Sequence, residues 1–404
     1  MRSVLSLSQG TLNRAVKNMV SCAFVVATVL VVGSVLKARA ALSSPITRSV
    51  FVMRHCLRST PMQIYGAPGF NDFQNYTSRP EPTWPVPAYQ CLPQGIEVIR
   101  NFGKKLNASG TLPKGGVAVY ADVSAKRDND TAEALMDGLG LRDQTFLPAP
   151  YVFDPIACGL CTGVPLTEQV AALKKSFANK PPPATHTKRL AQLQAILGKG
   201  AAPALSDIPD AVHRNGYFTG GGSAASEIAE VFLMQQGSGM EFGWGLLSEA
   251  DVDNFLEAHI WYRAVNDRVL PLVARKSSNM AAKVLSFLQR GQGDSSTLFL
   301  VGHDSDIDAM GELFGLTWHT DPFPANATTP GSALRFDLHD DGKTVSTSVL
   351  YQAFDGSPSP PSRRVPATLN WQKSGGDETT LQQLKDYVGP RLDHTCDPHR
   401  DGVL

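Results

Sequence analysis

The sequence predicts an α/β fold, and three kinds of pattern support this prediction. Three short apolar runs, at 49–53, 117–121 and 297–301, each end in polar or charged residues, as buried strands do at a sheet edge. Residues 94–106 and 131–139 have the helical spacing expected of crossover helices. Residues 333–338 and 345–351 alternate around Asp340-Asp341-Gly342, which predicts a β-hairpin.

The pattern changes between about 151 and 290, where helical spacing predominates. The stretches 227–235 and 252–279 are the longest of this kind. Pro181-Pro182-Pro183 and Gly220-Gly221-Gly222 interrupt them, because proline and glycine break regular structure. This segment therefore reads as a helical insertion between strands of the sheet.

We predict three structural parts after the N-terminal segment. An α/β domain is formed by 45–150 and 291–404, and an α-helical insertion domain by 151–290. The Pro- and Ser-rich stretch 356–366 is predicted to be a surface loop.

Residues 1–40 have the pattern of a signal peptide. Three basic residues precede an uncharged apolar run at 19–36, and Ala38-Arg39-Ala40 supplies an Ala-x-Ala cleavage site. The alternative is a membrane anchor, because eighteen apolar residues approach the length that spans a bilayer. We favour cleavage, and expect a periplasmic or secreted protein without stable membrane association.

Charge and composition exclude some classes of function. The 404 residues contain 37 basic and 37 acidic side chains, which argues against a strongly basic nucleic-acid-binding protein. With 18% charged and 42% hydrophobic residues, the chain is also unlike a disordered one. Cleavage after Ala40 removes five basic and no acidic residues, which leaves 32 against 37, a formal charge of −5.

Cysteine usage agrees with export. Of the six cysteines, Cys22 lies in the signal, so five remain and at least one must lack an intramolecular partner. Cys158-Gly-Leu-Cys161 follows a turn and no βα unit frames it, so we favour a structural disulfide over a redox motif. A zinc site is weakly supported, because no second closely spaced Cys or His pair completes four ligands.

Two strand ends carry residues suited to phosphate chemistry. Arg54, His55 and Arg58 lie within five residues, and such a set favours an anion between its charges. A guanidinium group can donate two parallel hydrogen bonds to phosphate oxygens, and an imidazole nitrogen can attack phosphorus. A solvated loop with an incidental histidine is the alternative. His303-Asp304 follows the third run and supplies a further phosphate donor beside a carboxylic acid that can protonate a leaving alkoxide.

The acids Asp304, Asp306 and Asp308 also resemble the start of a calcium-binding loop. Ala309 stands at the sixth position instead of glycine, and Gly315 at the twelfth instead of glutamate. We therefore discount calcium binding here.

Arg54-His55-Cys56-Leu57-Arg58 together with Gly302-His303-Asp304-Ser305 resembles histidine acid phosphatases, in particular the bacterial periplasmic phytase and glucose-1-phosphatase branch. The resemblance extends to Ala121-Asp122-Val123, Gly243-Trp244-Gly245 and Thr328-Thr329-Pro330-Gly331. It implies a phosphoglycerate-mutase-like mixed sheet flanked by helices, with an inserted α-helical domain.

The resemblance also implies roles for individual residues. His55 is the expected nucleophile and Asp304 the proton donor to the leaving group. Phosphate-binding roles are implied for Arg54, Arg58, His303 and Arg127, although 124–131 holds one residue more than the family pattern. A disulfide between Cys161 and Cys396 is implied as well.

Cys56 departs from this branch, which has Gly or Asn beside the nucleophile. We interpret Cys56 as packing behind the strand end; a second nucleophile is the alternative. Cys91 and Cys158 have no assignable partner.

The sequence thus predicts an exported acid phosphatase that hydrolyses phosphate monoesters, phytate or sugar phosphates, through a phosphohistidine. No metal ion or cofactor is expected. The mechanism requires Asp304 to be protonated, so we expect an acidic optimum. One alternative is a catalytically weak phosphate-ester binding protein, motivated by the unusual Cys56, Ser59 and Asp306. The other is a phosphotransferase or mutase that uses the same histidine.

Overall fold

A computed structural model describes residues 45–60, 73–373 and 375–397. The predicted signal peptide at 1–40 lies outside these residues. The strands are β1 (Ile46–Arg54), β2 (Gly116–Ala121), β3 (Leu147–Pro148), β4 (Ala211–Val212), β5 (Phe218–Thr219), β6 (Ser295–Gly302), β7 (Leu316–Trp318), β8 (Ala333–His339), β9 (Thr344–Gln352), β10 (Ser362–Leu369) and β11 (Glu378–Thr380). The helices are α1 (Pro93–Ala108), α2 (Lys126–Leu139), α3 (Pro150–Phe153), α4 (Leu166–Asn179), α5 (His186–Leu197), α6 (Gly221–Gly237), α7 (Glu249–Asn266), α8 (Leu270–Arg290), α9 (Asp304–Phe314) and α10 (Leu381–Val388).

A mixed sheet forms the centre of the fold, in the strand order β3-β2-β6-β1-β8-β9-β10-β7, with β11 paired to β9. Strands β3, β2, β6 and β1 are parallel, and β8, β9, β10 and β7 continue antiparallel. Arg54 at the end of β1 lies opposite Gly302 at the end of β6, and Ala121 of β2 lies opposite Val301. The three predicted strand ends therefore meet at one edge, and the predicted α/β fold is confirmed.

Both faces of the sheet are covered, which explains the continuous apolar runs. In β1, Val50 and Val52 face the core that includes α8 and α9, whereas Phe51 and Met53 face the core of α1 and α2. Phe51 stacks on Phe299 of β6 with 4.4 Å between ring centroids. The alternation of faces along β1 sets the direction in which its last residues point.

Within the predicted insertion 151–290 the structure has most of α3, the helices α4 to α8 and a two-stranded ribbon, β4 and β5. Helix α6 is buried along almost its whole length, and it packs against α7 through a separate apolar core. A capping box at Ser248 and Asp251 begins α7. The described residues from Ile46 onwards form one compact unit, so the division of the chain at 150 and 290 stays a prediction.

Two predicted elements differ from the structure. The stretch 252–279 is not one helix, because α7 ends at Asn266 and α8 begins at Leu270, where Pro271 lacks the N–H that a continuous helix needs. The predicted loop 356–366 is wrong from Ser362, where β10 begins and pairs with β9. Pro366 lies where β10 changes partner from β9 to β7, a position that tolerates a missing donor.

Two disulfides occur among the described cysteines. Cys161–Cys396 confirms the implied bond. Cys56–Cys91 was not predicted, and Cys158 is free and exposed. Across the described part of the chain, no helix combines the length and the apolar character needed to cross a membrane.

Candidate active site

Backbone hydrogen bonds fix the strand ends that carry the predicted site residues. The N–H of His55 donates to the Gly302 carbonyl at 2.8 Å, and the N–H of Asp122 donates to that of Val301 at 3.0 Å. The Gly331 N–H donates to the His55 carbonyl at 2.9 Å. At Gly302, an added Cβ would overlap an Asp306 carboxylate oxygen and lie 2.9 Å from the Phe153 ring, so this close approach requires glycine. The chain after β1 is thus held from two sides.

His55 is buried and has one ring nitrogen already engaged. Its Nδ1 lies 2.9 Å from the carbonyl oxygen of Cys56, which can only accept, so we assign the proton to Nδ1. Nε2 then carries the lone pair. Burial is the largest influence on this imidazole, and together with Arg54 and Arg58 it lowers the pKa of His55 well below its usual value. The ring is therefore neutral in weakly acidic solution and can act as a nucleophile.

The three predicted arginines surround His55, and each lowers its pKa. Arg54 donates through Nη1 to the Thr328 carbonyl at 2.6 Å. Arg58 donates to the Thr60 hydroxyl at 3.0 Å, and Arg127 Nη2 lies 3.4 Å from His303 Nδ1. The Nε atom of each guanidinium is buried without a hydrogen-bond partner among the described residues. Three orphaned cationic donors at one place are suited to an oxyanion.

Glu230 holds two of these arginines, and the sequence analysis did not identify it. It comes from the buried helix α6, forms an ion pair with Arg54, and lies 3.6 Å from Arg58 Nη2. Although burial alone would raise the pKa of Glu230, the cations Arg54, His259 and Arg58 lower it. A single acid within the apolar run 228–233 was the available sequence signal.

His303 begins helix α9 and faces three carboxyl groups. Its backbone N–H donates to Asp306 Oδ2 at 2.8 Å, and its Nε2 lies 3.2 Å from Asp122 Oδ2 and 3.6 Å from Asp128 Oδ2. Burial opposes the charged ring, but the hydrogen bond to Asp122 and the charges of Asp128 and Asp306 raise the pKa of His303. In acidic solution His303 is therefore a cation beside Arg127.

Asp304 lies between two guanidinium groups. Its Oδ1 accepts from the Ser305 N–H at 2.8 Å, and its Oδ2 lies 3.1 Å from both Arg54 Nη2 and Arg263 Nη1. Burial favours the neutral acid, but Arg263 and Arg54 outweigh it and hold the pKa of Asp304 well below its usual value. The expected protonated Asp304 therefore requires some of this positive charge to be compensated.

The clustered acids do not form a calcium site. Asp306 accepts from the His303 backbone, and Asp308 forms ion pairs with Arg263 at 2.6 Å and Arg268 at 3.3 Å. These acids are already neutralised by the protein.

His55, Asp128 and His303 have ligand atoms within 4.8 Å of one another, a grouping that could hold a transition metal. Arg127 lies beside this group, and Arg54 and Arg58 complete a positively charged environment that disfavours a metal cation. The donor set fits an anion better.

The structure brings together all six predicted site residues, Arg54, His55, Arg58, Arg127, His303 and Asp304. Arg127 reaches the site despite the extra residue in 124–131: it lies in the first turn of α2, with Nη2 3.4 Å from His303 Nδ1. Residues not predicted to belong to the site are Asp128, Glu230, His259 and Arg263, of which the last three lie on the inserted helices α6 and α7.

No family model matches the chain. In sequence the chain is similar to phytase AppA of Escherichia coli K12, with 28% identity over 333 residues, which is 69% of this chain and 76% of that protein.

The fold is similar to those of solved bacterial phytases. The phytase of Citrobacter braakii has a TM-score of 0.74 and 21% identity, covering 87% of this chain and 99% of its own. The phytase of Hafnia alvei, solved in complex with myo-inositol hexakis sulphate, has a TM-score of 0.73 and 22% identity, covering 87% of this chain and 98% of its own.

Proposed function

We propose that the chain is a histidine acid phosphatase, as its similarity to bacterial phytases indicates, and that it hydrolyses phosphate monoesters in two steps, through a phosphohistidine formed on His55. Phytate is the proposed substrate. The observation that carries the proposal is the His55 ring: the Cys56 carbonyl engages Nδ1, which leaves the lone pair on Nε2, and the ring lies within a group of three arginines and His303.

In the first step Nε2 of His55 attacks phosphorus and the P–O bond to the alcohol breaks. Arg54, Arg58, Arg127 and the His303 cation hold the phosphoryl oxygens and stabilise their charge. The electron pair of the broken bond stays on the alcohol oxygen, which takes the proton of Asp304. In the second step water attacks phosphorus, the P–N bond breaks and its electron pair returns to Nε2 of His55, while the Asp304 carboxylate accepts the proton of that water.

Substrate binding supplies the charge compensation that Asp304 requires. Arg54 contacts Asp304 at 3.1 Å and also belongs to the phosphate-binding group. A bound phosphate shares the charge of Arg54, which raises the pKa of Asp304 from its low value and favours its protonated form in acidic solution. We therefore expect the enzyme to work best in acidic solution.

The choice of phytate rests on the relatives. One sequence relative is phytase AppA of E. coli, and the Hafnia alvei phytase was solved with an inositol hexakis sulphate. The alternative of a weak binding protein is less well supported, because Cys56 and Ser59 do not remove any member of the proposed catalytic group. Export, supported by the two disulfides, completes the proposal.

The experiment is trapping of phosphorylated enzyme with ³²P-labelled substrate, together with a panel of phytate, glucose 1-phosphate and simple monoesters at acidic pH. We expect His55→Ala to abolish labelling and turnover, and Asp304→Asn to slow turnover of alkyl esters strongly. His319→Ala is the matched control, because His319 is exposed. Undiminished turnover in His55→Ala would sink the mechanism, and a preference for glucose 1-phosphate would overturn the choice of phytate.

A further inference from the structure

Arg263 is a buried arginine on helix α7 that contacts the proposed proton donor. Its Nη1 lies 3.1 Å from Asp304 Oδ2, and its Nε lies 2.6 Å from Asp308 Oδ2. Asp267 directly follows α7, and its Oδ2 lies 3.5 Å from Arg263 Nη1. The side chain is 10% exposed. Three carboxylates thus fix the guanidinium in one position.

The two cations on Asp304 have different places in the proposed reaction. Arg54 is the last residue of β1 and belongs to the proposed phosphate-binding group, so a bound phosphate shares its charge. Arg263 is anchored on the other side by Asp308, which Arg268 also holds at 3.3 Å. In the substrate complex Arg263 therefore remains the main cation acting on Asp304.

The remaining groups around Asp304 come from several elements. The cations and titratable bases are His55 and Arg58 from the end of β1 and His259 from α7. The acids are Glu227 and Glu230 from α6 and Asp267 after α7. Among all of these and Arg54, Arg263 has the largest effect in lowering the pKa of Asp304.

We propose that Arg263 is a positioning residue for the phosphatase reaction: it fixes the Asp304 carboxyl group beside the reacting phosphate and limits the reaction to acidic solution. This inference rests on the proposed function. When the ester P–O bond breaks, the alcohol oxygen takes the Asp304 proton and a carboxylate remains, which Arg263 stabilises. A stronger acid transfers its proton more readily, but it is protonated over a narrower pH range.

The experiment compares kcat against pH for Arg263→Met and Arg263→Gln with the wild-type enzyme. Removing an opposite charge from a carboxyl group shifts its pKa up by roughly one to three pH units, so the alkaline limb of kcat for an alkyl phosphate should move up by about that amount. Arg263→Lys should restore most of the wild-type profile. Arg268→Met is the matched control, because it removes a second cation on Asp308 without touching Asp304.

A second substrate separates acid catalysis from damage to the fold. p-Nitrophenyl phosphate releases a good leaving group that needs little protonation, so its kcat should change less than threefold in Arg263→Met while the alkyl-ester profile shifts. KM should stay within about threefold for both esters, because Arg263 is not in the phosphate-binding group. If Arg263→Met does not fold, the pH dependence of kcat measured on the polar variant Arg263→Gln tests the proposal instead.

Coincident profiles for the wild type and both neutral variants would overturn the inference, as would an equal shift in Arg268→Met. If the wild-type enzyme forms no phosphohistidine, the proposed function itself fails. If it forms phosphohistidine and the profiles coincide, only the role of Arg263 fails.

Discussion

The disulfide Cys56–Cys91 provides a direct test of how the site is held, through the double substitution Cys56→Ser with Cys91→Ser. Cys56 directly follows the proposed nucleophile. Its backbone N–H donates to the Thr131 hydroxyl at 2.9 Å, and that hydroxyl donates to the carbonyl of Arg127 at 2.6 Å. The disulfide therefore ties the loop after β1 to the segment before α1, and these two hydrogen bonds connect the same loop to Thr131 and Arg127 of α2.

The same protein contains a matched control, Cys161→Ser with Cys396→Ser, which removes the second disulfide. Cys56 and Cys91 are 35 residues apart, which gives about 4 kcal/mol of stabilisation in the chain-entropy model. Cys161 and Cys396 are 235 residues apart, which gives about 5.5 kcal/mol in that model, slightly above the range of measured values. The control should therefore lose more stability.

Activity should follow the opposite order. Cys91 pairs with Arg58 in an isolated β-bridge, so loss of its disulfide loosens both Arg58 and His55. Misplacement of catalytic groups by about 1 Å costs on the order of 100-fold, and we expect kcat/KM to fall roughly 10- to 100-fold in Cys56→Ser/Cys91→Ser. The control should keep kcat/KM within about threefold.

The measurements are denaturant unfolding of each double variant and phosphatase kinetics under conditions where both are folded. Opposite rank orders of stability and activity would support the argument. Wild-type kcat/KM in the Cys56–Cys91 variant, or a loss of activity in both variants in proportion to their loss of stability, would show that this disulfide does not position the site.

Three further predictions concern charges within the site. Arg54→Lys keeps the charge but loses the planar fork that reaches Thr328 and Asp304, so kcat/KM should fall about 100-fold or more, and wild-type kinetics would contradict the assignment. Asp122→Asn removes the hydrogen bond that raises the pKa of His303, so His303 should lose its positive charge at a lower pH. Because this charge helps to bind phosphate, competitive inhibition by phosphate should weaken at a pH about one unit lower than in the wild type. An unchanged pH dependence of inhibition would contradict this role of Asp122. Asp128 has a pKa raised by burial from 3.8 to about 8, so the folded protein keeps a proton that the unfolded chain loses, and stability should fall by about 1.4 kcal/mol per pH unit across that window. Asp128→Asn should flatten the fall in unfolding free energy between pH 5 and pH 7, and an equally steep fall in the variant would refute the assignment.

The sheet and five of the six predicted site residues could be predicted from the sequence for a physical reason, whereas Arg127 came from the family resemblance alone. Buried parallel strands need continuous apolar runs, and their polar ends mark one edge of the sheet. These runs alone therefore predict that His55 and His303 lie close together, although most of the chain separates them. Their roles came from resemblance to a family, and they stay predictions until a phosphoenzyme is trapped.

Sequence patterns did not predict the break between α7 and α8, the pairing of Cys56 with Cys91 or the position of Arg263. Helical spacing continues from α7 into α8, and Pro271 alone breaks it, so one long stretch was predicted where two helices exist. Five cysteines allow many pairings, and proximity of Cys56 to Cys91 arises only when the chain returns to β1 before α1. Arg263 could not be identified either, because a charged residue on a helix usually faces solvent.

The buried acids change the physical picture of the predicted anion site. Arg54, Arg58 and Arg127 around His55 would repel one another, and from the sequence alone only a bound anion relieved that repulsion. In the folded chain Glu230 lies against two of the three, and it comes from the inserted segment rather than from the sheet edge. Arginines held in this way are ordered before the substrate arrives, so little reorganisation is needed when phosphate charge develops. The Glu230 carboxylate also competes with phosphate for Arg54 and Arg58. We expect this competition to lower the affinity for free phosphate and to favour its release. We therefore expect Glu230 of helix α6 to contribute to the proposed turnover through this charge balance.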